Sequence, residues 1–149
     1  MLMPKKTKFR KVQRGRMRGL SKGARNVDFG EFGICATEPC WMTARQIEAM
    51  RVTLSKRLKK QGKYFLRVFP DKPVSKKPLE VRMGGGKGSP EFWVCVVKRG
   101  RIIAELAGID KQTAKEIFKS VAHKLPIKVR FVESTKQSTG EVVAADVQA

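Results

Sequence analysis

Acidic residues are absent from the start of this chain: the first one is Asp28. Ten lysines and arginines come before it, together with few bulky apolar residues. A segment with so much unopposed charge does not bury itself in a core. It needs a polyanion to neutralise it, and the pattern therefore indicates a phosphate backbone as the partner.

Long apolar runs are absent as well. No run approaches the roughly 18 apolar residues that span a bilayer, and the N-terminus lacks the apolar segment of a secretory signal. The basic start has the charge of an organelle transit peptide, but Gly15, Gly19 and Gly23 disfavour the amphipathic helix that such a peptide forms. Membrane binding would need large exposed apolar side chains on an amphipathic stripe, and we expect the core to use those stripes. We predict no membrane partner.

Cysteine is scarce and odd in number: Cys35, Cys40 and Cys95. Without a secretion signal, a reducing compartment is expected. Cys35 and Cys40 form a single C-x4-C pair with no nearby histidine, whereas a structural zinc site usually needs four ligands. We expect three ordinary thiols, no metal and no cofactor.

Residues for catalysis are equally few. His123 is the single histidine and falls off the apolar stripe of its predicted helix, and Cys95 is expected to be buried. A Cys/His nucleophile pair is therefore poorly supported. The carboxylates are scattered singly, without the pairing that acid–base chemistry uses. We predict a protein that is not an enzyme and has no small-molecule substrate.

What the chain has in excess is positive charge: 33 Lys and Arg against 13 Asp and Glu give +20 on 149 residues. The electrostatic field of such a charge influences which partners bind and how fast they associate, but not which fold the chain adopts. The length favours one domain, and 41% apolar content is enough for a core. We expect a basic arm over residues 1–26, a folded domain over 27–133 and a disordered tail over 134–149.

The periodicity of the domain predicts two helices and six strands. A capping box, Thr43 with Gln46, opens the first helix, and Gly62 is expected to end it. Asp110 is the predicted N-cap of the second helix, which Pro126 follows. Strands are predicted over 27–36, 64–69, 79–83, 92–97, 101–106 and 127–132, with a break at 70–73 and a hairpin turn at 99–100. This order favours an α+β fold, with two helices packed on a mainly antiparallel sheet.

Two further features point to nucleic acid. The outer face of the first helix is predicted to carry Arg45, Arg51, Lys56, Arg57, Lys59 and Lys60, opposed only by Glu48. Surfaces that are merely solvated usually mix both signs. The second feature is a glycine-rich loop over 84–90 in which Gly88 follows Lys87, so it does not match a nucleotide P-loop. Glycines let backbone approach another surface closely, and we favour a contact with RNA over a loop tip without a partner.

Seven runs of the sequence together resemble one known family. They cover residues 4–11, 14–16, 29–33, 43–49, 67–73, 77–84 and 124–128, in order and without large gaps. The chain resembles the bacterial-type large-subunit ribosomal protein family sixteen. The resemblance implies an α+β fold, a place in the large ribosomal subunit in the cytoplasm, with an organelle copy not ruled out, and three kinds of partner. These partners are 23S ribosomal RNA, A-site tRNA and neighbouring large-subunit ribosomal proteins.

The resemblance, with the charge pattern, also implies the contact residues. Those expected on ribosomal RNA are Lys5, Lys6, Lys8, Arg10, Lys11, Arg14, Arg16 and Arg18 in the arm, and Arg45, Arg51, Arg57, Lys59 and Lys60 on the helix. Those expected near the tRNA and the peptidyl-transferase centre are Arg82, Met83, Gly84, Gly85, Gly86, Lys87 and Gly88. The chain departs from the family at Gly85, where a lysine is common, and at Cys40, where a glycine is common.

Two other classes of function remain open from the residues alone. An RNA-modifying or RNA-cleaving enzyme would lose turnover when His123 or a single carboxylate is changed. A DNA-compacting protein would bind duplex DNA as tightly as structured RNA at the same salt concentration. The glycine loop has no evident use in the second case.

Overall fold

The structure, a computed structural model, describes residues 2–59 and 61–134. This part of the chain forms two antiparallel sheets and two helices, which confirms the predicted α+β class. The elements are β1 Phe32–Ala36, β2 Cys40–Thr43, α1 Ala44–Leu58, β3 Lys63–Leu66, β4 Lys72–Lys76, β5 Ser89–Val97, β6 Ile102–Ala107, α2 Lys111–Ala122 and β7 Val129–Glu133. No helix among these residues is long and apolar enough to cross a membrane. The predicted tail beyond Ser134 lies outside the described residues.

The strands divide between a four-stranded sheet, in the order β3-β6-β1-β7, and a three-stranded sheet, in the order β2-β5-β4. Helix α1 packs on β2, β3 and β5, and therefore on strands of both sheets. Helix α2 packs on α1, β1 and β7. The main core lies between these layers, and its fully buried side chains include Ile34, Met42, Ile47, Met50 and Leu106.

Both helices begin where the sequence predicts. Thr43 accepts a hydrogen bond from the Gln46 N–H, and Gln46 accepts one from the Thr43 N–H, which completes the capping box. Asp110 accepts from the N–H groups of Gln112 and Thr113 at the start of α2. The end of α1 is different from the prediction, because Lys59, with φ +45°, forms a left-handed C-cap before Gly62 is reached. Gly62 instead permits close packing, since a Cβ there would lie 2.7 Å from the Ala107 carbonyl oxygen.

Two strands lie where none is predicted, and one predicted strand is wrong. Strand β4 contains Pro73, which the sheet tolerates because β4 is an edge strand and its missing N–H need not reach a neighbour. Strand β2 directly precedes α1 and pairs with β5. Residues 79–83 form no strand, and Leu79 and Met83 are 97% and 95% exposed. No sheet covers these residues, so the alternation of apolar and charged side chains over 79–83 is by itself a misleading signal for a strand.

The predicted hairpin at 99–100 is also wrong. A turn is present, with Gly100 at φ +81°, but β5 and β6 belong to different sheets. The Gly100 N–H donates to the Ala36 carbonyl at 2.8 Å, and the Ala36 N–H donates to the Arg101 carbonyl at 2.9 Å. The turn therefore binds the end of β1, and the chain passes from one sheet to the other instead of folding back on β5.

A buried carboxylate explains why the strand predicted over 27–36 begins only at Phe32. Glu105 in β6 is fully buried, and its Oε2 accepts hydrogen bonds from the N–H groups of residues 28, 29 and 30 at 3.1, 2.7 and 2.9 Å. Its Oε1 accepts from Arg67, which also reaches Asp28 at 3.1 Å. Because the carboxylate takes these three N–H groups, they are not available to a neighbouring strand. The network joins the segment between the arm and β1 to the core.

Candidate nucleic-acid interface

The basic arm and the glycine loop lie against each other. The Lys11 ammonium donates to the Lys87 carbonyl oxygen at 2.7 Å, and the Lys87 ammonium donates to the Val12 carbonyl oxygen at 2.6 Å. The bonded residues are 76 and 75 positions apart in sequence. These reciprocal bonds combine the two sequence-predicted regions into one surface, here called the arm–loop surface: residues 5–18 and 82–88.

Edge strand β4 supports the arm a few residues further on. Lys72 donates a hydrogen bond to the Arg14 carbonyl oxygen. The Lys72 ammonium lies 4.7 Å from the ring centroid of Trp41, and the Arg14 guanidinium lies 5.8 Å from it. Cations are attracted to the face of an indole ring at such distances. Trp41 and Lys72 thus hold the arm beside β4, and the charge pattern alone gave no sign of either.

The loop itself has a backbone that favours glycine. Gly84, Gly85 and Gly86 have φ values of +98°, +68° and +92°, in the left-handed region. Lys77 donates to the Gly84 carbonyl oxygen at the base of the loop. Arg82, Met83 and the residues up to Lys87 are exposed. The loop therefore presents bare backbone, one arginine and one lysine to a partner.

The arm's charges are not neutralised within the described part of the chain. All eight arm residues predicted to contact RNA are exposed, and none forms an ion pair with a described carboxylate. Their positive charge is therefore available to an external polyanion such as a nucleic-acid backbone.

The predicted basic face of α1 is less uniform. Arg45, Arg57 and Lys59 are exposed, whereas Arg51 forms a two-bond ion pair with Glu48 at 2.6 and 2.9 Å. Lys60 lies outside the described residues. Arg45 lines a pocket with Leu2 and Met3, so the start of the arm passes the N-terminus of α1. No hydrogen bond or ion pair in the described ranges joins Arg57 or Lys59 to the arm–loop surface.

Groups for covalent chemistry are not gathered anywhere in the described part. His123 is exposed at the C-cap of α2. Burial raises the pKa of all three cysteine thiols, and that of Cys40 to about 11, with Cys95 nearby as a second cause. Thiols with raised pKa values are poor nucleophiles at neutral pH. No group of three or more His, Cys, Asp or Glu side chains suited to a metal occurs among residues 2–59 and 61–134.

Known proteins match this chain over most of its length, including the arm–loop surface and the folded domain. A family model described as ribosomal protein L16p/L10e matches residues 4–132. The large ribosomal subunit protein uL16 of Heliobacterium modesticaldum (strain ATCC 51547 / Ice1) is 56% identical over 133 residues, which are 89% of this chain and 92% of that relative. The family match begins inside the arm and ends in β7, so it includes the arm–loop surface and both sheets.

Proposed function

The chain belongs to the ribosomal protein L16p/L10e family, and we propose that it binds 23S ribosomal RNA and helps to position A-site tRNA near the peptidyl-transferase centre. It is a protein of the large ribosomal subunit, which in bacteria lies in the cytoplasm. Its proposed role is architectural: positive charge and exposed backbone hold RNA in place, and the protein makes and breaks no covalent bonds. Its other proposed partners are neighbouring proteins of the subunit.

The observation that carries this proposal is the pair of hydrogen bonds between Lys11, Val12 and Lys87. They hold the basic arm against the exposed glycine loop. In the proposal the arm neutralises ribosomal RNA phosphates, including those near Arg14, Arg16 and Arg18. The loop then extends from an anchored base toward tRNA, with Arg82 and Lys87 as its charged contacts. The exposed cations of α1, Arg45 among them, bind further ribosomal RNA.

The two parts of the proposal predict different defects. Replacing Arg82 and Lys87 together by alanine should leave the folded core unchanged, because both side chains are exposed, and it removes only the Lys87 hydrogen bond to the Val12 carbonyl oxygen. Large subunits that contain this variant should bind A-site tRNA more weakly. The matched control replaces Lys119 and Lys124, exposed residues at the end of α2 and just beyond it, and should have normal tRNA binding. Equal losses of thermal stability and of tRNA binding in the loop variant would count against a dedicated role of the loop.

A further inference from the structure

A groove of about 820 Å³ opens where the two sheets meet, and no role above uses it. Segment 66–72, which leads from β3 in one sheet to β4 in the other, contributes half of its lining residues. The remainder come from β5, the turn at Arg101, the segment before β1, and the arm. Cavities that bind small organic groups have volumes of roughly 300–1,000 Å³, so this groove has room for one nucleotide.

Two phenylalanines line the groove without being buried. Phe29 is 61% exposed and Phe69 is 46% exposed. The Arg67 guanidinium lies 4.7 Å from the Phe29 ring centroid, and the Phe65 ring centroid lies 5.8 Å away, so neighbours hold Phe29 in position. Exposed aromatic rings with adjacent cations are the usual stacking partners of unpaired RNA bases.

The groove is lined by three cations, Arg67, Lys72 and Arg101, and by one carboxylate, Asp71, so cations are in excess. Arg67 is neutralised by Glu105 and Asp28. Arg101 and Lys72, in contrast, form no ion pair with a carboxylate in the described ranges. Arg101 donates through Nη2 to the Arg67 carbonyl oxygen at 3.1 Å, and its buried Nε has no hydrogen-bond partner among described residues. Buried donors of this kind are normally paired, by protein groups or by water.

The groove is continuous with the arm–loop surface. Val12, whose carbonyl oxygen accepts the Lys87 hydrogen bond, lines the groove, and so does Lys72, which binds the Arg14 carbonyl oxygen. A polynucleotide that follows the arm therefore reaches the groove without leaving the basic surface. An apolar peptide, the competing occupant, would desolvate Arg101 and Lys72 without pairing them.

We propose that the groove receives one unpaired nucleotide of the ribosomal RNA, with its base stacked on Phe69 or Phe29 and its phosphate near Arg101 and Lys72. This inference rests on the proposed function and adds a specific subsite to it. Stacking accounts for the exposed rings, and the phosphate accounts for the unpaired cations. The subsite is distinct from the glycine loop, because no residue of 82–88 lines it.

The first test measures how tightly the full chain binds large subunits that lack it. Phe69→Leu should weaken binding by roughly 5- to 150-fold, the loss typical of one stacked base. The slope of affinity against salt concentration should not change, since no phosphate contact is removed. Phe92→Leu is the matched control, because Phe92 is 41% exposed but lies outside the groove, and should bind normally. Phe69→Trp should restore binding. Phe29→Leu is measured in the same way, and normal binding by both Phe69→Leu and Phe29→Leu would overturn the proposal.

A second measurement needs no substitution. Ultraviolet cross-linking of the unaltered chain in large subunits should join a peptide containing Phe29 or Phe69 to one ribosomal RNA nucleotide. If RNA cross-links come only from the arm and the loop, the groove proposal is overturned and the proposed function stays intact. Chemical cross-links from the groove to another ribosomal protein would have the same meaning. If the unaltered chain does not bind the subunit RNA at all, the proposed function fails, and the groove proposal fails with it.

Discussion

The Lys87 ammonium, in the glycine loop, donates a hydrogen bond to the carbonyl oxygen of Val12 in the N-terminal arm at 2.6 Å. Lys11 returns a bond to the Lys87 carbonyl oxygen, so each segment helps to fix the other. Both hydrogen bonds are accepted by main-chain carbonyl oxygens and not by carboxylates. They therefore hold the arm in place without cancelling its positive charge. The surface is thereby arranged before RNA binds, which reduces the entropy that is lost on binding.

The buried network at Glu105 gives a prediction about stability. Glu105→Gln removes the charge that pairs with Arg67, and its amide N–H₂ must face either the three backbone donors or the Arg67 guanidinium. Breaking a buried pair on one side costs about 3–5 kcal/mol, and urea unfolding should show a loss of this size. Glu48→Gln, which breaks an exposed pair on α1, is the control and should unfold almost as the unaltered chain does. Similar midpoints for the two variants would contradict this description of the network.

Close approach at the base of the loop gives a second prediction. A Cβ on Gly88 would lie 2.5 Å from the Lys76 carbonyl oxygen at the end of β4. Gly88→Ala should therefore lower the free energy of unfolding by about 1–3 kcal/mol and speed amide exchange in β4. Gly23→Ala is the matched control, because nothing lies within 4 Å of a Cβ there and φ is not positive. If the two alanines have the same effect, the loop base does not pack on β4.

A single extra lysine tests whether the loop contacts phosphate. Gly85 has φ +68°, and nothing lies within 4 Å of the place that a Cβ would take, so a side chain there meets backbone strain but no clash. Gly85→Ala and Gly85→Lys should both lose about 1–2 kcal/mol of stability from the left-handed backbone. The measured quantity is the affinity of A-site tRNA for large subunits that contain each variant. Only Gly85→Lys should make the slope of the logarithm of this affinity against the logarithm of salt concentration steeper, by about 0.7–0.9 for one added phosphate contact. Identical slopes for Ala and Lys would mean that phosphate is out of reach of this position.

The raised pKa of Cys40 predicts how its thiol reacts. Burial and the neighbouring Cys95 raise this pKa to about 11, so the protonated thiol prevails at neutral pH. Because the thiolate is the nucleophile, alkylation of Cys40 by iodoacetamide in the folded chain should be slow at neutral pH and rise about tenfold per pH unit. In the urea-unfolded chain the rate should level off near the ordinary thiol pKa of about 8.5. A plateau near that value in the folded chain would contradict the shift.

The parts of the fold that depend on residues close together in the sequence could be predicted. Thr43 with Gln46 and Asp110 mark the helix starts because capping is made within one turn. Sheet membership depends on residues far away along the chain. The turn at Gly100 gives no local sign that it binds Ala36, and Pro73, which within a strand indicates an edge, does not show which strand β4 pairs with.

The candidate site, like the fold, could be predicted from the sequence only where its features are local. The unopposed charge of the arm is visible in the composition, and the glycine run marks the loop. Nothing local places them together, because the bonds between Lys11, Val12 and Lys87 join residues far apart in sequence. Glu105 could have been noticed, since a lone carboxylate in an apolar strand such as β6 needs a buried partner. Its partners could not have been named.

The central claim is that one arm–loop surface holds this protein on ribosomal RNA, and sedimentation tests it most directly. Lysate is run on sucrose gradients at rising salt, with the unaltered chain compared with a variant in which Lys11, Arg14 and Lys87 are alanine. We predict that the unaltered chain travels with the large subunit through moderate salt and that the variant is released at a lower salt concentration. The claim is contradicted if the unaltered chain stays at the top of the gradient at low salt, or if both chains are released at the same concentration.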